Sequence, residues 1–208
     1  MFYETKPDSA LRFGDILFGV ALTTPSLSEL SSSSKYNIEV ELPDHCVILS
    51  PCCSIGNSVI TVSPLLKIKP SYYKNPFFAE DLTRINRIMS PEQSVAPEIW
   101  EKIPPEEKTR RANEGASFAL KDVFIFQDHP LLPKYTLTDK NKDNYETGHY
   151  MIDFKNQYKI SCKKINSAND APIDSKCIQL SIETRNELRN KISSYYSRVP
   201  VEDIPACE

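Results

Sequence analysis

The residues with the clearest chemical potential lie in two short segments near the first third of the chain. A cysteine thiolate can act as a nucleophile or bind a metal ion, and a histidine can act as a general base in hydrolysis. The carboxylate beside the histidine completes the candidate catalytic set. These residues are Asp44, His45, Cys52 and Cys53.

The spacing of these residues limits how they can cooperate. His45 and Cys52 are about seven residues apart along one extended run, which corresponds to more than ~20 Å at ~3.3 Å per residue. A direct pair within that strand is therefore excluded. A cysteine nucleophile would need His129 or His149 as its partner.

Each of these residues also has an ordinary interpretation. Cys52 and Cys53 follow Pro51 at the end of an apolar run, where small, partly buried side chains are common. A histidine beside a turn, such as His45, is usually a surface residue. No CxxC pair exists among the six cysteines, so the spacing of a zinc knuckle is absent, and we expect no metal and no cofactor.

A second candidate site is a short run that mixes cations with aromatic residues. Lysine can contact phosphates and tyrosine can stack on bases, which is typical of proteins that bind single-stranded nucleic acid. The same composition also suits a polar linker. The run contains Lys67, Lys69, Tyr72, Tyr73 and Lys74.

The elements that must position these residues are predominantly β-strands in the first third of the chain. Residues 36–42 alternate strictly between polar and apolar types, which predicts a half-buried strand, and 46–50 form a continuous apolar run typical of a strand buried on both faces. Further strands are predicted over 16–22 and 59–64, and a surface loop over 23–35.

The remainder of the chain predicts an α+β protein with a single domain. A helical insertion is predicted over 67–116, a polar loop with at most a short strand over 134–148, and a C-terminal helix over 181–198. The core strands lie within 11–66 and 117–180.

The order of motifs over residues 12–68 resembles the toxins of the MazF/PemK family. The resemblance rests on a GDI turn, the strand CVILSP and the strand VITVSPL. An enlarged bacterial group with the same core is similar to this chain at the corner 50–53, in the strand Met151–Phe154 and at 196–199. The resemblance implies an SH3-like barrel, and the family's members act as endoribonucleases.

The chain departs from that family at its catalytic positions. The family places an arginine before the second core strand and a threonine after the third, and these positions fall on Asp44 or His45 and near Leu65. A carboxylate facing a phosphodiester is repulsive at neutral pH. The resemblance therefore implies a binding or regulatory module in a bacterial toxin–antitoxin or phage-defence setting. Two alternatives stay open: an active nuclease or thiol-dependent enzyme with a relocated site, and a structural subunit that docks on a protein partner.

Composition constrains the setting and the partners. The 208 residues carry a formal net charge of -3, which gives no global attraction to nucleic acid and favours a protein partner, while relatives of the barrel make a homodimer an expectation by resemblance. The chain lacks a signal-peptide pattern and any run of apolar residues long enough to span a membrane. We therefore expect a cytoplasmic protein with reduced cysteines and no membrane partner.

Overall fold

The computed structural model describes residues 1–27, 36–55, 59–74, 78, 81–88, 102–113, 120–138, 141–161 and 175–197. The chain is mainly β, with few helices and several antiparallel sheets, so the predicted α+β class is confirmed. The described strands form no ladder that closes on itself, and a barrel core is not established by them.

The strands and helices follow one another in this order. The strands are β1 (Ile16–Phe18), β2 (Leu22–Leu27), β3 (Tyr36–Glu41), β4 (His45–Ile48), β5 (Val59–Pro64), β6 (Leu66–Lys67), β7 (Val123–Phe126), β8 (Tyr135–Thr138), β9 (Asn144–Thr147), β10 (Tyr150–Asp153), β11 (Tyr158–Ser161) and β12 (Ser175–Ile178). The helices are α1 (Cys52–Ile55), α2 (Pro105–Asn113) and α3 (Ile182–Tyr196), with 3-10 helices at Pro70–Lys74 and Leu82–Asn86.

The chain divides into two compact units. The first unit comprises Met1–Leu66 and Lys155–Arg185, and the second comprises Lys67–Phe154 and Asn186–Glu208. Each unit has its own buried apolar side chains and its own candidate residues, so the two are described separately.

The first unit is built on a five-stranded antiparallel sheet with the order β11-β5-β4-β1-β12. The run predicted to be buried on both faces forms β4, where Cys46, Val47 and Ile48 are fully buried. Apolar residues from β1, β4 and β5 pack together in the core of this unit. Removing their side chains from water stabilises the folded state. The strands predicted around 46–50 and 59–64 are confirmed.

The GDI turn fixes the start of this sheet. The amide of Gly14 donates to the carbonyl of Ile48 at 2.7 Å, and the amide of Ile48 donates to the carbonyl of Asp15 at 2.9 Å. Gly14 has a φ of +86°, and a Cβ at this position would lie 2.8 Å from the Leu180 side chain. Both facts require glycine here.

Residues 16–27 differ from their prediction. β1 ends at Phe18, and β2 occupies Leu22–Leu27, most of which was expected to be a surface loop. The polar composition of this segment predicts a loop. It forms a strand because it pairs with β3, which lies about fourteen residues further along the chain. Residues 28–35 lie outside the described part.

The second unit contains a three-stranded sheet with the order β6-β10-β7 and the hairpin β8-β9. Buried Asn86 covers the edge of β7 because its amide donates to the carbonyl of Ile125 at 2.8 Å and its carbonyl accepts from the amide of Ile125 at 2.7 Å. The Lys191 ammonium donates to the carbonyl of Ile85. The described helical segments within 67–116 are 70–74, 82–86 and 105–113, and the C-terminal helix predicted over 181–198 corresponds to α3.

Candidate acid-base site

A histidine and a carboxylate meet where two strands of the second unit lie side by side. Asp128 follows β7 by two residues, and His149 directly precedes β10. β10 pairs antiparallel with β7, with Tyr150 opposite Phe126, so the beginning of β10 lies beside the end of β7. Strand pairing therefore brings together two side chains that are far apart in sequence.

The hydrogen bonds of the His149 ring to described residues all involve Nδ1. Its Nδ1 lies 3.2 Å from Asp128 Oδ1 and 3.2 Å from Thr147 Oγ1, and its backbone amide donates to Thr147 Oγ1 at 3.1 Å. The side chains of His149 and Asp128 are 27% and 47% exposed. No residue in the described ranges hydrogen-bonds to Nε2.

The glycine between Thr147 and His149 allows this close approach. A Cβ at Gly148 would lie 2.6 Å from Asp128 Oδ1, which is closer than real Cβ atoms come to other atoms. A side chain at this position would displace the carboxylate. Gly148 is therefore required for the contact between Asp128 and His149.

The protonation state of His149 suits a base. Burial lowers the pKa of His149, and the charges of Asp128 and Asp81 only partly oppose it. The ring is therefore neutral at neutral pH. The hydrogen bonds around Nδ1 assign the proton to that nitrogen, which leaves the lone pair on Nε2.

Tyr135 contacts the backbone of His149, and a lysine lies over the Tyr135 ring. The Tyr135 hydroxyl donates to the carbonyl of His149 at 2.5 Å and accepts from the amide of Ile68 at 2.9 Å. The Lys67 ammonium lies 5.2 Å from the centre of the Tyr135 ring, which is cation–π distance. A lysine cation is thereby held beside the residue that contacts the His149 backbone.

Two stacked tyrosine rings lie beside Thr147. Tyr73 stacks on Tyr145 with ring centres 4.8 Å apart and planes at 12°, and the Thr147 side chain hydrogen-bonds to the Tyr73 phenol. Burial raises the pKa of Tyr73 and of Tyr135, so both phenols stay protonated at neutral pH. We call Lys67, Tyr73, Tyr135, Tyr145 and His149 the Tyr73 surface.

The predicted cation–aromatic run contributes only partly to this surface. Lys67 is exposed, and Tyr73 is half-buried beside the histidine cluster. Tyr72 instead is buried and packs edge-on against Phe78, with ring centres 6.3 Å apart. Lys69 is exposed, and the side chain of Lys74 lies outside the described part of the structure.

The residues predicted at the family's catalytic position lie in the first unit. Asp44 is exposed in the turn before β4, and His45 begins that strand. Burial lowers the pKa of His45, and its Nδ1 is buried without a hydrogen bond to any described residue. Their catalytic role stays a prediction.

The predicted cysteines are placed at the start of α1. Cys52 is exposed, and the side chain of Cys53 is not among those described. The pKa of Arg12 is raised mainly by Asp8, and the charge of Cys52 raises it to a smaller extent. Cys52 belongs to the first unit, and both histidines considered as its partner belong to the second.

Another carboxylate cluster, which sequence reasoning missed, lies in the first unit. Asp15 is fully buried, and its Oδ2 accepts from the Lys176 ammonium at 2.9 Å and from the amide of Arg12 at 2.7 Å. The Lys176 ammonium also contacts Gln179 Oε1 at 2.7 Å and Asp8 Oδ1 at 3.2 Å. Burial raises the pKa of Asp15 to about 6, opposed chiefly by Lys176.

The comparisons with known proteins give no relative. No family model, no curated protein and no solved structure matches this chain. Among the described residues, no helix is long and apolar enough to cross a membrane, and no group of three or more potential ligands could hold a metal ion.

The sequence carries a usable signal for the histidine site. Thr147, Gly148 and His149 stand directly before β10, and Asp128 stands two residues after β7. Polar residues at the ends of two strands become neighbours only if those strands pair. That pairing was the missing step.

Proposed function

We propose that this chain binds single-stranded nucleic acid on the Tyr73 surface and acts as a binding or regulatory module in a bacterial toxin–antitoxin or phage-defence setting. The observation that supports the proposal is the cation–π pair of Lys67 with Tyr135. The Tyr135 hydroxyl donates to the His149 carbonyl, and the stacked rings of Tyr73 and Tyr145 belong to the same surface. The surface thus combines one exposed cation with three half-buried aromatic rings.

The chemistry of the surface fits an unpaired strand better than a duplex. Unpaired bases expose faces that stack on tyrosine rings, and the phosphates between them contact lysine. Because the chain carries a net charge of -3, binding depends on this local arrangement and not on the charge of the whole protein. We expect modest affinity that falls as salt rises.

The sequence resemblance supports the same class of ligand. Residues 12–68 resemble the MazF/PemK toxins, whose members act on RNA, and the SH3-like barrel core that this resemblance implies is part of this proposal. The position of the family's catalytic arginine falls on Asp44 or His45 in this chain, which favours binding over the family's ribonuclease activity. The ligand surface proposed here is a different one.

The test is a binding titration with a matched charge control. Fluorescence anisotropy of a labelled, uridine-rich single-stranded RNA would be measured with the intact protein, with Lys67→Glu and with Lys159→Glu. Lys159 is an exposed strand lysine of the first unit and changes the net charge equally. We expect about ten-fold weaker binding for Lys67→Glu alone. Equal binding by the two variants would contradict the proposed surface.

A second candidate function is cleavage of the bound RNA at a relocated site. Its specific support is neutral His149, whose Nε2 is open while Asp128 and Thr147 hold Nδ1. Nε2 would accept the proton of a 2′-hydroxyl, and the 2′-oxygen would attack the adjacent phosphorus. The bond to the 5′-oxygen would break, that oxygen would take a proton from water, and a 2′,3′-cyclic phosphate would form.

Denaturing gels of end-labelled RNA separate this function from binding alone. The cleavage account predicts products with a cyclic phosphate, formed in EDTA as well, and at least ~100-fold slower cleavage by His149→Gln. DNA should stay intact because it lacks the 2′-hydroxyl. Intact RNA under conditions in which anisotropy shows binding would leave the binding module as the function.

A further inference from the structure

One strand of the first unit exposes the apolar side chains that its sequence pattern should bury. β3 and the residue after it carry Ile38, Val40 and Leu42, which are 70%, 62% and 76% exposed. The predicted strand is confirmed, but the prediction that it is half-buried is wrong. Three large apolar side chains on alternate positions of one strand form a contiguous exposed row.

The pairing of β3 with β2 explains which way this row faces. Residues directly opposite in a ladder share one face of the sheet, and Glu41 lies opposite Leu22, which is buried in the core of the unit. Val40 lies opposite exposed Thr23, on the other face. The glutamates therefore share a face with a core residue, while the apolar row faces away from it.

The outer edge of β3 has no ladder partner among the described strands. Among the described strands, β3 pairs with β2 only, so its other edge presents backbone groups without a ladder partner. Such edges are templates for an added strand, and long apolar ones are uncommon in proteins that remain monomeric. Glu39 and Glu41 are exposed, and neither forms an ion pair with a described residue.

The charges on β3 disfavour a second copy of this chain in the registers that place its glutamates opposite one another. An antiparallel pair centred on Val40 would place Glu39 opposite Glu41 of the copy, and one centred on Glu39 would place the two Glu39 side chains opposite each other. A parallel pair in register would align the same glutamates. Like charges directly opposite one another destabilise a ladder.

We propose that β3 is a docking edge for a protein partner, which adds an extended strand of alternating apolar and basic residues. The partner's apolar side chains would cover Ile38, Val40 and Leu42, and its lysines or arginines would lie beside Glu39 and Glu41. Backbone hydrogen bonds to the open edge would supply affinity, and the alternation would supply specificity. This interaction is separate from the Tyr73 surface.

The proposal is tested with two labelled synthetic peptides, one alternating valine with lysine and the other alternating valine with glutamate. Anisotropy should show about ten-fold tighter binding of the lysine peptide to the intact protein. The double variant Glu39→Lys/Glu41→Lys should reverse the preference. The matched control Glu146→Lys/Glu187→Lys changes the net charge equally on exposed residues elsewhere and should keep the original preference.

Further measurements keep the test decisive. Val40→Thr preserves β propensity and removes apolar surface, so it should weaken the lysine peptide several-fold with an unchanged circular dichroism spectrum. An equal affinity for both peptides, or an unreversed preference in the double variant, would overturn the proposal. A dimer in sedimentation equilibrium that Val40→Thr abolishes would also overturn it, in favour of a second copy.

Discussion

The clusters around Asp15 and Asp128 each pair a carboxylate with a basic side chain, yet they differ in almost every other respect. Asp15 is fully buried and the Lys176 side chain is 2% exposed, whereas Asp128 and His149 both reach solvent. The Lys176 ammonium contacts Asp15, Asp8 and Gln179, while Nε2 of His149 forms no hydrogen bond with a described residue.

This difference separates a stabilising network from a candidate reactive site. The Lys176 network joins the N-terminal segment, the GDI turn and β12, and its ammonium has no hydrogen left to give a ligand. The His149 pair holds its ring through one nitrogen and presents the other. The arrangement of contacts, more than the identity of the residues, distinguishes the two roles.

The largest predicted effect is the loss of stability in Asp15→Ala. Removing Asp15 leaves the Lys176 charge buried beside fewer partners, and breaking a buried pair in this way typically costs about 3–5 kcal/mol. Urea unfolding followed by circular dichroism measures the free energy of unfolding. The control Asp8→Ala removes a partly exposed carboxylate and should cost less than about 1 kcal/mol. Similar losses in both variants would contradict the buried role of Asp15.

A second prediction concerns pH and Asp15. Burial raises the folded-state pKa of Asp15 to about 6 from its ordinary value of 3.8, so the folded state binds this proton more tightly than the unfolded state. The part of the stability that is linked to this proton is therefore complete below about pH 4 and is lost as pH rises through about 6, where Asp15 becomes the ionised partner of Lys176. Urea unfolding across this range should show the loss in the intact protein, relative to Asp15→Asn. Parallel pH profiles would contradict it.

A smaller effect on stability, but a specific one on protonation, is expected for Asp128→Asn. The Asp128 side chain is nearly half exposed, so the free energy of unfolding should change by less than about 1 kcal/mol. The carboxylate raises the pKa of His149 against the effect of burial, so the variant should lower that pKa further. NMR titration of the ring measures this shift, and an unchanged pKa would show that the contact does not persist in solution.

The smallest structural change, Gly148→Ala, tests the same contact from the backbone side. The added methyl group should displace the Asp128 carboxylate and lower the pKa of His149 in the direction of Asp128→Asn. The double variant should then add little to either single change, because both remove one interaction. Additive shifts would indicate that Gly148 acts on His149 by another route.

Sequence reasoning predicted elements whose apolar pattern is local. The sequence pattern within a few residues predicts the buried strand β4, the strand β5 and the helix α3. It also predicts the cap of α3, where the amide of Thr184 donates to the Ser181 hydroxyl at 3.2 Å. β2 escaped prediction because its polar residues become a strand only through pairing with β3.

Features that depend on distant partners could not be predicted in this way. The contact of Asp128 with His149 requires β7 beside β10, and the burial of Asp15 requires Lys176 from the far end of the sequence. Alternation along β3 correctly predicted a strand but wrongly predicted a buried apolar face, because the buried residue of the paired strand, Leu22, lies opposite Glu41 and not opposite an apolar side chain.

The most direct test of the account is an NMR titration of the imidazole nitrogens with the uridine-rich single-stranded RNA. The account predicts that Nε2 of His149 shifts progressively as RNA is added, while the rings of His45 and His129 do not, and that Lys67→Glu weakens the shift. An unchanged His149 signal at RNA concentrations where anisotropy shows binding would contradict the proposed surface.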